Sequence, residues 1–315
     1  MVATSQTASG FHRQPNDYTC GPFALKHALL ALGQTVDVTH LQTTAKSHRL
    51  SGTDEIQLAR AARAVECDLV LERRTEAEEA RKILTKHLKE QTPVLLCVDD
   101  WSHWVAVIRA EAHRFVVVDS MDEPLLSVRT WPQLRNWWRY LDKEYSKTSP
   151  QPLYDLMAVV PRFKPAVKAD FSVERVKFLR RPENHGLAKH WNEYLEDLAE
   201  ICRPATHRIA EPLSMGEFLR RHQELLVARV SYWHGDVSRD QVSRVLRDLR
   251  FVSETYGLVI PASMSRRAVA DLAVLVSLWA CAARGVDSMF GAPGATALPK
   301  PKAKAKKRAR ARPRG

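Results

Sequence analysis

Cys20 stands where a polar loop that begins at Gln14 gives way to an apolar run, residues 22–32, that reads as a helix. A thiol at a helix N-terminus lies near unpaired backbone N–H groups and the positive end of the macrodipole, and both favour the thiolate. Thiolate is the form that attacks a carbonyl carbon. A hydrolase built on it also needs an imidazole, a group to orient that imidazole, and donors for the oxyanion. His103 precedes the apolar pattern at 104–108, and a strand end can meet a helix N-terminus at the edge of a sheet. Asp119 follows the pattern at 115–118, where a hairpin would bring it beside His103, although Asp99, Asp100 and Asp122 compete for that role. Gln14 lies before Cys20 at a distance that lets its amide fold back and donate to an oxyanion together with the Cys20 backbone N–H.

Each residue also has a plainer account: Cys20 as a small buried residue at a helix start, His103 as a strand-edge histidine between Trp101 and Trp104, Asp119 as a turn carboxylate. The presence of nucleophile, base and orienter in one order favours the chemical account.

The set Gln14, Cys20-Gly21-Pro22-x-Ala24-Leu25, Ser102-His103-Trp104-Val105-Ala106-Val107 and Val118-Asp119 resembles the papain-like cysteine peptidases of the bacteriocin-processing family, which cleave leader peptides after a double glycine. The resemblance spans residues 10–160 and includes the order of elements between the motifs. It implies Cys20 as nucleophile, His103 as general base and acid, Asp119 as orienting group and Gln14 as oxyanion donor. Two features depart from the family. Asp-Pro is frequent at the third motif, whereas Ser120 follows Asp119 here and Pro124 is displaced. Export members carry membrane spans and a nucleotide-binding domain, and this sequence shows neither a span nor a Gly-x-x-x-x-Gly-Lys-Ser/Thr loop, so export coupling and double-glycine specificity are not carried over.

The elements that must hold these residues follow from periodicity. After a stop at Gly33, residues 34–52 read as a polar connection; Thr53 or Asp54 then caps a helix whose Ile56, Ala59, Ala62 and Val65 fall at helical spacing. A short strand at 68–72 and a charged helix at 76–90, with Ile83, Leu84 and Leu88 inward, lead into β-rich runs at 94–98, 104–108 and 115–118. These continuous β-branched runs predict a sheet covered on at least one face. A strand at 125–128, a tryptophan-rich helix at 132–141 and a last strand at 156–160 complete an α+β domain at 11–163, after a flexible N-terminus at 1–10. From there the pattern is entirely helical. Four amphipathic segments, marked by Trp191 and Leu195, by Leu225 and Leu226, by Val245 and Leu249, and by Leu272 and Val276, predict an all-α domain at 164–290.

Composition narrows the function classes. The five cysteines are scattered and form no CxxC pair, which argues against a disulfide framework or a zinc knuckle, and the histidines of the helical part show no metal-ligand spacing. No cofactor and no metal are expected. Of the formal +12 charge, nine positive residues and no acid fall within residues 300–315, so the rest carries 12 − 9, or +3. The segment 291–315 is read as a disordered Lys/Arg-rich tail making nonspecific polyanion or nucleic-acid contact. With no apolar segment long enough to span a bilayer and no secretory start, the expectation is a cytoplasmic protein.

The expected activity is that of a thiol protease: a hydrolase cleaving a peptide or isopeptide bond, as in a precursor or leader peptide, through Cys20, His103, Asp119 and Gln14. Two alternatives stand beside it. One is a catalytically inactive papain-like module that binds peptides and is tethered to nucleic acid or a protein partner by the helical domain and tail. The other is acyl transfer to an amine by the same residues. Nothing in the sequence signals an oligomeric state.

Overall fold

The computed structural model describes residues 10–143, 149–163, 169–202 and 211–282. The expected N-terminal segment, apart from Gly10, and the expected basic tail lie outside the described residues.

The chain opens with three helices, α1 (Cys20–Ala31), α2 (Val38–Ala45) and α3 (Glu55–Ala64). The site-bearing sheet follows: β1 (Cys67–Arg74), α4 (Ala77–Lys89), β2 (Val94–Val98), β3 (His103–Glu111), β4 (Arg114–Val118), β5 (Leu126–Thr130), α5 (Trp131–Trp138), β6 (Tyr140–Asp142) and β7 (Gln151–Pro161). Its strands pair antiparallel in the order β1-β7-β2-β3-β4-β5, with β6 on β7.

Alternate residues along each strand enter different cores. Leu95 and Cys97 of β2, Ala106 and Ile108 of β3, and Val116 and Val118 of β4 pack with α1 to α3. Their neighbours Val94, Leu96, Val98, Val105, Val107, Phe115 and Val117 pack with α4 and α5. The sheet is therefore covered on both faces, which is why its strands read as unbroken apolar runs.

The remaining elements are α6 (Val173–Leu179), α7 (His185–Lys189), α8 (Trp191–Cys202), β8 (Pro212–Ser214), α9 (Met215–Trp233), α10 (Arg239–Tyr256), β9 (Val259–Pro261) and α11 (Ser265–Ala282). Their apolar faces join the core beneath α1 through aromatic contacts: Phe11 meets His27, Phe171 and Tyr256 at centroid distances of 5.3, 5.2 and 5.8 Å. Among the described residues no helix is long and apolar enough to cross a membrane.

Four expectations need correction. The connection at 34–52 contains α2, an eight-residue helix that Asp37 starts by accepting from the Thr39 N–H at 2.8 Å and that Val38, Leu41 and Ala45 anchor in the core. In α3 the buried face is Leu58, Ala61 and Ala62, while Ile56 is 73% exposed; the Asp54–Gln57 capping box sets the helix start and with it this phase. The helix expected to reach residue 141 stops at Trp138, and Tyr140–Asp142 pairs with β7 instead. The part expected to be entirely helical holds the antiparallel pair β8–β9, and Leu225 faces solvent while Leu226, Val227 and Val230 turn inward.

Candidate active site

Cys20 is the first residue of α1. The loop before it is folded by its own side chains, with the Asn16 Oδ1 accepting from the Tyr18 N–H at 3.3 Å. Thr19 at the helix N-cap makes no side-chain cap bond. Pro22 removes one donor that would otherwise need a partner. Gly21 permits the helix start to close on its neighbours: a Cβ there would lie 3.0 Å from Thr53 Cβ and 3.1 Å from Leu58 Cδ2. Thr53 is itself tied to the sheet, because its carbonyl accepts from Trp104 Nε1 at 2.9 Å.

His103 heads β3 after an unusual turn. Asp99, Asp100 and Trp101 have φ of 52°, 52° and 63°, three successive left-handed residues with no glycine among them. Such residues cost about 1–2 kcal/mol each and persist where surrounding contacts impose them. Here Ser102 donates from its backbone N–H to the Val98 carbonyl at 3.1 Å and from its hydroxyl to the Asp99 carbonyl at 2.6 Å. Trp101 is held between Tyr140 and the Arg73 guanidinium. Asp119 arrives from the other strand of the hairpin, the Ala106↔Val118 register bringing the end of β4 alongside the start of β3.

The structure brings Cys20, His103 and Asp119 together and ties Gln14 to Ser120, the residue after Asp119; each of the four expected residues is less than 9% exposed. His103 Nε2 lies 2.6 Å from Asp119 Oδ1, and the imidazole also hydrogen-bonds the Cys20 side chain. With Nε2 engaged by the carboxylate, the sulfur contact falls to Nδ1. Asp119 Oδ1 accepts in addition from the Met121 N–H at 2.9 Å. Of the competing acids, Asp99 and Asp122 line the cleft beside His103, but Asp122 pairs with Arg129 at 3.1 Å and Asp99 and Asp100 are exposed; the carboxylate bonded to the imidazole is that of Asp119. Gln14 Nε2 donates to the Asn16 carbonyl at 2.7 Å, while its Oε1 accepts from the Ser120 hydroxyl.

The electrostatics follow from burial and partners. Burial alone would depress His103, but the hydrogen bonds to Asp119 and Cys20 outweigh it and lift the imidazole to about 9. Burial pushes the Asp119 carboxyl up, and the bonds from His103 and the Met121 N–H overcome that and hold it below its ordinary value. The arrangement favours an imidazolium held against the Asp119 carboxylate. Burial pushes the Cys67 and Cys202 thiols up to about 12 and raises that of Cys97 as well.

Two clefts flank the Cys20–His103 pair and share Asp17 and Ser102. The one beside Cys20, about 780 Å³, has Tyr18, Leu50, Trp101 and Trp104 in its walls; the one beside His103, about 420 Å³, has Asp99, Asp119 and Trp137. Sequence reasoning missed the Asp99–Ser102 turn and Ser120. A run of left-handed residues without glycine or asparagine leaves no compositional mark, and Ser120 and its partner Gln14 are 106 residues apart. Among the described residues no group of three or more His, Cys, Asp or Glu side chains is placed to hold a metal ion.

No family model and no curated protein matches the sequence. Among solved structures, the chain is similar to the peptidase domain of Streptococcus ComA, a bifunctional ABC transporter of a quorum-sensing pathway, at 12% identity and a TM-score of 0.34, covering 48% of this chain and 97% of that one. It is also similar to a double glycine motif protease from an AMS/PCAT transporter in complex with the leader peptide, at 16% identity and a TM-score of 0.36, covering 50% of this chain and 96% of that one. These similarities span half of the chain or slightly less.

Proposed function

We propose that this chain is a papain-like cysteine peptidase that hydrolyses a peptide bond, with a precursor or leader peptide as its substrate class. The observation that carries it is the buried chain Cys20–His103–Asp119, closed by a 2.6 Å bond at its acid end. The Cys20 thiolate attacks the carbonyl carbon, forming a C–S bond and an oxyanion that the Gln14 amide and the Cys20 backbone N–H stabilise. His103 then gives its Nδ1 proton to the leaving amine as the C–N bond breaks. Water, deprotonated by the same nitrogen, attacks the thioester, releases the acid and restores Cys20. Throughout, Asp119 keeps the ring oriented and stabilises its charge. An extended peptide lying across the two clefts would place its scissile bond over Cys20.

Incubating a peptide library with wild type and with Cys20→Ala, and reading products by mass spectrometry, tests this. Cleavage is expected in wild type alone. Cleavage that survives Cys20→Ala, or binding by wild type with no Cys20-dependent product, would overturn it, the second outcome favouring an inactive peptide receptor.

A further inference from the structure

Ser120 follows Asp119 directly, is 1% exposed, and holds Gln14 at two points. Its carbonyl oxygen accepts from the Gln14 backbone N–H at 3.0 Å. Its hydroxyl donates to Gln14 Oε1 in a short hydrogen bond. A carboxamide has a donor end and an acceptor end, and its partners decide which way round it sits. The Asn16 carbonyl oxygen, 2.7 Å from Gln14 Nε2, can only accept, so the NH₂ must face it. The Ser120 hydroxyl, at the other end, supplies the donor that Oε1 needs. One N–H of the amide is thereby engaged by Asn16, and the second is left for a ligand.

We propose that Ser120 is a positioning residue: its hydroxyl locks the Gln14 carboxamide in the orientation that offers the remaining N–H to the oxyanion formed at Cys20. This rests on the peptidase reading above. Without the hydroxyl, a buried Oε1 loses its donor, and the amide, then held through Asn16 alone, can swing off the line on which its second N–H meets a developing anion. Because Asp119 bonds His103 and Ser120 bonds Gln14, the dipeptide 119–120 fixes both the imidazole and the oxyanion donor. A proline following Asp119, frequent in the family that the motifs resemble, has no hydroxyl with which to do this.

Two small probes applied to the full chain separate the role from plain structural support. p-Nitrophenyl acetate acylates Cys20 through a tetrahedral oxyanion, the C–S bond forming and p-nitrophenolate leaving. Iodoacetamide alkylates the same sulfur by displacing iodide from a saturated carbon and needs no oxyanion donor. The readout is the ratio of the two rates, corrected with Cys20→Ala as blank. Removing one oxyanion donor costs about 100-fold or more, so Gln14→Ala should lower the ratio about 100-fold and Ser120→Ala, which misaligns that donor, about 10-fold. Ser120→Thr, which keeps the hydroxyl, should stay near wild type. Adding Ser120→Ala to Gln14→Ala should change nothing more. The proposal is overturned if Ser120→Ala slows both reactions alike, or lowers the ratio by the same factor with and without the Gln14 amide. A Gln14-dependent ratio indifferent to Ser120 sinks this assignment alone. Acylation no faster in wild type than in the Cys20→Ala blank sinks the peptidase reading and this assignment together.

Discussion

Trp101 lies flat against Tyr140, with ring centroids 3.8 Å apart and planes 9° from parallel. That stack and the Arg73 guanidinium, 5.2 Å from the indole centroid, hold the end of the left-handed turn that delivers His103. Asp100, exposed at the middle of the turn with φ of 52°, carries strain that a glycine would not. Asp100→Gly should therefore stabilise the fold by about 1 kcal/mol, a rise in melting temperature of about 2–4 °C. An unchanged or lower melting temperature by calorimetry would show that the turn is not strained there.

His103 should titrate at about 9 when followed by NMR through its ring protons. Since that value is raised above the unfolded one, the charged imidazole stabilises the fold at pH values below about 6.5, and the contribution disappears as pH climbs through about 9. Asp119→Asn should bring the titration down, and its cost in unfolding free energy should be larger at pH 6 than at pH 10. A midpoint that does not respond to Asp119→Asn would contradict the coupling. Hydrolysis, which needs the imidazolium to protonate the leaving amine, should decline above about pH 9 in wild type.

Gly21→Ala tests the close approach at the start of α1. Its methyl would have to displace Thr53 and Leu58, contacts already at 3.0 and 3.1 Å. Overpacking of this kind costs about 1–3 kcal/mol, measurable by urea unfolding. Iodoacetamide should also modify Cys20 more slowly in this variant, as the helix start moves away from His103.

In the aromatic junction, Trp191 Nε1 donates to the Tyr256 hydroxyl at 2.7 Å, both rings being buried. Tyr256→Phe leaves the indole N–H without an acceptor at a cost of about 1–3 kcal/mol. If the variant unfolds at the wild-type urea midpoint, the bond contributes nothing.

The sequence of the tail makes a separate prediction. Removing residues 291–315 should weaken heparin binding and flatten its dependence on salt, because nine positive charges leave with the tail. Cys20-dependent cleavage of a short peptide should be unaffected. Equal elution of the full and shortened chains from heparin would end the polyanion reading.

Much of the sheet was legible because burial on both faces leaves β2, β3 and β4 as continuous apolar runs, and the stretch from Gln14 to Ala24 announced its helix by a change of composition. Gln14, Cys20, His103 and Asp119 were legible as residue types in order at element ends; the bonds of His103 to Asp119 and of Gln14 to Ser120 were not. What was hidden depends on partners remote in sequence or on side-chain caps. Helix α2 is short, rich in threonine, and rests on the Asp37 cap and three buried residues. Strand β6 exists only because β7 lies beside it. The choice of Asp119 over Asp122 follows from Arg129 claiming Asp122, which spacing along the chain does not reveal.

Helix α1, buried from Cys20 to Leu30, has a consequence for anyone dividing the molecule. His27, 0% exposed, packs against Phe11, and Phe11, 3% exposed, is in turn covered by Phe171 and Tyr256 from the second half of the chain. A fragment ending at residue 163 would bare an aromatic patch on the underside of the helix that carries Cys20. Such a piece should clump on expression and recover only when the remaining residues are supplied alongside it, as a split protein whose halves meet at Phe11.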